Sequence, residues 1–245
     1  MQTISINFIV PQGWHELSDK QLRYVYQLLA NDFATDEIKT LCLLQWSGTK
    51  VIGRQNSGSY LLKRGKIIFE VTPLTLAELL PYLDWLATFP TAPVRLSKIN
   101  RQHALPADFS EVPFETFIIC DNLYQGYMQT HDDELLDQLG STLYGKDITF
   151  KPYERINIFY WFASLKDSFA RKYSDFFQPI DAANDGNLLG NPSLNVEAAM
   201  NAQIRALTKG DVTKESEVLA LDTHRALTEL NAQALEYKQL NEKSK

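Results

Sequence analysis

Helical periodicity stops at Gly48 and resumes near Thr75. The residues between them read as short β-type runs divided by turns: "KVIGRQ", "NSG", "SYLLKR", "GK" and "IIFEV". Glycine-containing two- and three-residue breaks between such runs favour tight antiparallel connections, so Lys50 to Val71 is predicted as a three-stranded meander. A small antiparallel sheet set among helices restricts the chain to an α+β, mainly helical fold.

The helices on either side carry their own start and stop signals. Ser18 and Gln21 fit a capping box, and Leu22, Tyr26, Leu29 and Phe33 follow at helical spacing over residues 18 to 33. Thr35 is expected to cap a second helix, with Asp36 and Glu37 at its positive end and Ile38, Leu41, Cys42 and Trp46 inside. Thr75 and Glu78 suggest another box, opening an amphipathic helix through Leu76, Leu79, Leu80, Leu83 and Leu86. The proline-rich stretch from Phe89 to Pro113 reads as a linker or an irregular crossing. Helices are expected at about 113 to 128, 131 to 144 and 152 to 177. In the last of these, Phe159, Phe162, Leu165, Phe169, Tyr173 and Phe176 share a stripe. A strand is expected at Thr3 to Val10, where Ile4, Ile6 and Phe8 alternate with polar residues.

Turn residues crowd "QPIDAANDGNLLGNPS", placing a linker at 178 to 192. It divides an α+β body, residues 1 to 177, from a helical C-terminal extension, residues 193 to 245. In the extension, Val196, Met200, Ile204 and Leu207 line one helix, Thr213 caps a short one, and Thr223 opens the last. That final helix carries Leu227, Leu230, Ala234 and Tyr237 as a short seam suited to packing on another helix. Three such helices bury little alone, so the extension is expected to dock on the body or on a partner.

Charge narrows the function classes. The net charge of -6 and a pI near 5.3 disfavour nucleic acid as main partner, because that affinity comes largely from neutralising phosphates. The distribution is uneven, however: Lys39, Lys50, Arg54, Lys63, Arg64 and Lys66 fall between Ile38 and Phe69 with no acid among them. No apolar run approaches the roughly 20 residues of a membrane span. The opening residues lack a secretory pattern, and Cys42 and Cys120 lie in apolar helical contexts as free thiols. A cytoplasmic chain without membrane partners is expected.

The candidate chemical sites are weak. "HDDE" at His131 to Glu134 gathers an imidazole and three carboxylates, but adjacent helical residues point about 100° apart, and acids in a first turn follow from the helix dipole. The loop from Asp181 has Gly186 at the sixth position of a calcium loop, yet Ala183 and Pro192 occupy places that need oxygen ligands. Cys120 beside Asp121 sits among Phe117, Ile118 and Ile119, surroundings that quieten a thiol. Phosphate-loop, dinucleotide and serine-elbow patterns do not occur. Neither cofactor nor metal is expected. Partner contacts are expected instead at Arg54, Lys63, Arg64 and Lys66 on the meander, at Tyr160 or Trp161 in "FYWF", and at Leu227, Leu230 and Tyr237.

Three phrases carry a resemblance: "CDNLYQGYMQT" (Cys120 to Thr130), "FYWFASLK" (Phe159 to Lys166) and the stretch from Ile204 to Lys243. They resemble conserved, uncharacterised proteins of bacteriophages and prophages of gut bacteria, over most of residues 14 to 243. The resemblance implies a context and no catalytic residue. It points to a non-enzymatic structural or assembly protein: a virion component, adaptor or chaperone, active in the host cytoplasm or built into a virion. Its partners would be protein subunits of the same assembly, including copies of itself. Two other readings stand beside it: an enzyme assembled from distant residues around His103, His131, Asp132 or Glu134, and a nucleic-acid accessory protein using the basic meander.

Overall fold

The computed structural model describes residues 8–146, 148–177 and 201–243, with side chains as far as residue 240. The fold is α+β and mainly helical, with the three-stranded antiparallel sheet in its N-terminal part and helices at its C-terminal end. Two compact units are present. One comprises the described residues up to Pro90 with Pro152–Ile156; the other comprises Thr91–Lys151 and the described residues from Asn157 onward.

In the first unit a 3-10 turn, Trp14–Glu16, precedes α1 (Asp19–Leu29) and α2 (Thr35–Trp46). The capping box of α1 forms as expected: Ser18 N donates to Gln21 Oε1 at 3.0 Å, and Gln21 N donates to Ser18 Oγ. For α2 the cap is Ala34 rather than Thr35, because the Glu37 carboxylate reaches back to the Ala34 N–H at 2.9 Å and starts the helix one residue early. The sheet follows as β1 (Thr49–Arg54), β2 (Tyr60–Arg64) and β3 (Ile67–Val71), in that spatial order. Then comes α3 (Pro73–Leu79), capped by Thr72 and not Thr75, since Pro73 already holds the φ that a first helical residue needs. The long leucine helix expected there breaks instead. Pro81 carries no N–H, and the chain tightens into a 3-10 segment, Leu80–Ala87, interrupted at Leu83 (φ −115°, ψ 15°). Leu76, Leu83 and Leu86 are buried nonetheless. Aromatic rings fill this core: Trp14 stacks on Tyr26 at 6.3 Å and meets the edge of Trp85 at 5.5 Å, while Trp46 stacks on Trp85 at 6.1 Å. The Trp14 indole N–H donates to the carbonyls of Trp85 and Thr88, at 3.1 and 2.9 Å.

The second unit begins with a feature that the sequence did not announce. Lys98–Ile99 (β4) and Gln102–His103 (β5) form a minimal hairpin inside the proline-rich stretch. Asn100 and Arg101 both have positive φ, 47° and 70°, the pattern of a type I′ turn. Strands of two residues leave no alternation to read. The helices α4 (Phe114–Thr130), α5 (Asp133–Tyr144) and α6 (Pro152–Lys172) follow, with the first turn of α6 belonging to the first unit. Phe109, Phe114, Phe117, Phe162 and Phe169 are buried among one another. Each such side chain stabilises the fold by roughly 1.5–3 kcal/mol. A buried polar chain crosses this core: Asn157 Oδ1 accepts from Leu96 N at 2.8 Å, Asn157 Nδ2 donates to Tyr144 Oη at 2.9 Å, and Tyr144 Oη donates to Leu96 O at 2.8 Å.

At the C-terminal end, residues 201–208 are helical (α7), followed by a 3-10 turn (Val212–Lys214), α8 (Glu215–Leu219) and α9 (Thr223–Lys243). These elements dock within the chain. Phe114 N donates to Leu221 O, while the backbone N–H and hydroxyl of Thr223 both donate to Val112 O, at 2.9 and 2.7 Å. The expected linker at 178 to 192, most of the strand at Thr3 to Val10 and the would-be calcium loop lie outside the described residues; Phe8 to Val10 have no regular structure.

Candidate protein-contact sheet

The register places the basic residues of the sheet on different faces. Lys50, Lys63 and Ile68 form one cross-strand row; Thr49, Arg64 and Ile67 form the next. Side chains alternate across the pleat, so Leu62 looks into the core with Thr49 and Val71, all buried, whereas Lys63, Lys50, Ile68 and Glu70 look to solvent. Lys50 and Lys63 are therefore direct neighbours, and neither makes an ion pair among the described residues. Lys66 is exposed in the two-residue turn that joins β2 to β3.

The other cations expected to act with them are placed elsewhere. Arg64 lies on the inward face and is half-buried. Arg54 ends β1, where its guanidinium lies over Tyr60, 5.6 Å from the ring centroid, and its Nε donates to Gly58 O. Lys39 leaves the basic set, because Nζ is bound to Asp84 at 2.7 Å and Asp36 at 3.5 Å. The residues that sequence reasoning left out of its site are Lys50, which only the register brings opposite Lys63, and the isoleucines of β3.

Apolar surface accompanies the charge. Val51, Ile52, Ile67 and Ile68 are between 43% and 54% exposed, although each is β-branched and suited to a packed sheet. The two edges of the sheet differ. β1 is bulged between Val51 and Gly53 and carries Lys50 and Arg54, devices that blunt an edge. β3 runs in unbroken register, and its exposed residues are Ile67, Ile68 and Glu70.

Other expected contact residues serve the interior. Trp161 is fully buried, with Nε1 donating to Ala107 O at 2.8 Å and the Arg95 guanidinium 5.4 Å from its ring centroid. Leu227 and Leu230 are buried too, so the inner half of the α9 seam is occupied by the chain itself, and these three side chains offer no surface to a partner. Tyr160 is half-buried, its phenol pushed up by burial. Tyr237 is 70% exposed.

The residues weighed for chemistry are boundary residues. His131 ends α4 in the left-handed region (φ 55°), and the Asp132 carboxylate caps α5 by accepting from Glu134 N at 3.0 Å. His103 is exposed in β5. Both cysteines are buried and free; burial pushes the Cys42 thiol up to about 12, and burial together with Asp121 raises that of Cys120. Among the described residues no group of three or more His, Cys, Asp and Glu could hold a metal ion. No described helix is long and apolar enough to cross a membrane. A cleft of about 450 Å³ in the first unit is lined by Lys20, Tyr24, Gln27, Gln45 and Trp46, among others, without a carboxylate, imidazole or thiol. No protein family, curated protein or solved structure matches the chain.

Proposed function

We propose that the chain is a non-enzymatic structural or assembly protein of a phage or prophage, working in the host cytoplasm or within the virion through contacts with other protein subunits, and that the sheet of β1–β3 is its contact surface. One observation carries this reading: half-exposed Ile68 stands in one cross-strand row with the cations Lys50 and Lys63, which make no ion pair among the described residues, and Lys66 is exposed in the adjoining turn. Apolar side chains gain free energy when a partner covers them, and uncompensated cations select a partner bearing carboxylates. The phrases that resemble those of phage and prophage proteins supply the context. Exposed isoleucine adds nothing to a phosphate contact, which favours a protein over a nucleic acid on this surface.

The test is biological. Lys50→Glu with Lys63→Glu, introduced into the gene in its own phage or prophage, should lower the yield of complete particles at least tenfold while the chain stays soluble. Unchanged yield from a stably folded double variant would contradict the proposal.

A further inference from the structure

The solvent face of β3 reads Lys66 in the turn, then Ile68, then Glu70: a cation, an apolar residue and an anion at two-residue steps, all exposed. Among the described residues Lys66 makes no ion pair, and the polar contact of the Glu70 side chain is a hydrogen bond accepted from Ser57 Oγ at 3.3 Å. The backbone of this edge is open as well. β2 and β3 are joined by the two-residue turn Gly65–Lys66, with positive φ (59°) at Gly65, as a type II′ hairpin requires. In such a hairpin the closing pair, Arg64 and Ile67, exchanges both backbone hydrogen bonds, and bonded and non-bonded pairs then alternate along the ladder. Ile67, Phe69 and Val71 thus direct their N–H and C=O groups to β2, whereas Ile68 and Glu70 direct theirs away from it. Among the described residues no other strand lies on that side, and no turn or loop backbone bonds to Ile68 or Glu70.

We propose that two copies of this chain join antiparallel along β3, about a two-fold axis at Ile68, so that their sheets form one of six strands. The two Ile68 residues then exchange both backbone hydrogen bonds, using groups that β2 leaves free. Lys66 stands across from the partner's Glu70, and Glu70 across from the partner's Lys66. On the other face Ile67, 43% exposed, meets the partner's Phe69, a β-branched residue against an aromatic one. Charge selects a second copy as the occupant. A uniformly acidic strand would meet Glu70 and a uniformly basic one Lys66, whereas the order cation, apolar, anion is its own complement when read antiparallel. Charge also fixes the axis. An axis at Phe69 would set Glu70 against Ile68 and Lys66 against Thr72, and an axis at Glu70 would bring two carboxylates together. The other edge does not compete, because β1 is bulged between Val51 and Gly53. Lys50 and Lys63 lie on β1 and β2, behind this edge, and stay available to other subunits, so the pairing does not rest on the reading of the sheet face. A contact this short is weak. The dilute chain therefore stays a single subunit in size exclusion, while copies gathered in one assembly pair at the millimolar effective concentration found there.

The test is sedimentation equilibrium of the full chain from micromolar to millimolar concentration, with amide hydrogen exchange followed by NMR over the same range. The mass should rise from one chain toward two, and exchange at Ile68 should slow with concentration while Ile67, Phe69 and Val71, whose amides are already bonded, change little. Lys66→Glu and Glu70→Lys should each weaken self-association at least tenfold, because each sets like charges opposite one another twice. The double variant Lys66→Glu, Glu70→Lys should recover it, and an equimolar mixture of the two single variants should pair at least as well as the wild type. All these changes are to exposed side chains and leave the backbone of the edge intact. A chain that stays single at millimolar concentration, single variants that associate as the wild type does, or a double variant and mixture that stay single would each overturn the pairing. Protection of Ile68 that does not depend on concentration would place another segment of the same chain on the edge and would overturn it too.

Discussion

Lys50 and Lys63 oppose each other on adjacent strands, an arrangement that costs about 0.2–1 kcal/mol relative to a neutral pair. Lys50→Glu alone should therefore stabilise the folded chain by about 0.5 kcal/mol in urea denaturation while weakening partner binding. A residue that improves stability when replaced is one whose present charge is explained by something outside the chain. Asn157 has the opposite character. Its replacement by leucine would take from the buried Leu96 N–H the Asn157 acceptor and from the Tyr144 hydroxyl one donor, and should cost about 1–3 kcal/mol. Cys42 predicts a pH effect. Burial pushes its thiol up to about 12, against about 8.5 in an unfolded chain. The folded state therefore keeps a proton that the unfolded state releases. This contribution is intact below the unfolded value and is lost as pH rises through the window up to about 12. The urea midpoint should fall between pH 8 and 10.5, and fall less in Cys42→Ala.

At the scale of elements, caps and turns decide boundaries that periodicity leaves open. Thr72→Ala should cost about 1 kcal/mol in thermal or urea unfolding, because the hydroxyl accepts from Thr75 N at 3.1 Å, and Thr72→Ser should cost much less. Helix packing sets a second limit. A Cβ on Gly140 of α5 would lie 2.5 Å from Ile158 Cδ1 and 2.7 Å from Phe150 Cζ, so Gly140→Ala should destabilise by about 1–3 kcal/mol. The meander and the helices α1, α2, α4, α5 and α6 were legible because alternation, capping residues and apolar stripes all pointed the same way. The β4–β5 hairpin was not, since its strands are too short for a pattern. The break after Leu79 was overlooked because the leucine spacing continues through Pro81, whose missing N–H acts on the backbone and leaves the apolar periodicity intact.

For the whole molecule, the C-terminal helices bear on the interpretation of truncation. With Ala226, Leu227 and Leu230 buried and Thr223 bonded to Val112, removing residues 193 to 245 would expose part of the second unit's core, so loss of assembly on truncation would report unfolding. Charge reversal on the sheet avoids that ambiguity. The candidate site was half legible: a run of cations without acids can be counted in the sequence, but which cations share a face depends on register, and Lys39 was lost to Asp84 through a contact between residues 45 positions apart. The most direct measurement is the absolute mass, by light scattering after size exclusion, of the chain co-expressed in turn with each acidic protein encoded beside it. A complex heavier than the 28.0 kDa chain should form with the wild type and be lost in the Lys50→Glu, Lys63→Glu variant. A complex that persists unchanged in the variant, or a wild-type chain that stays at the mass of one subunit with every neighbour, would contradict a function carried by this sheet.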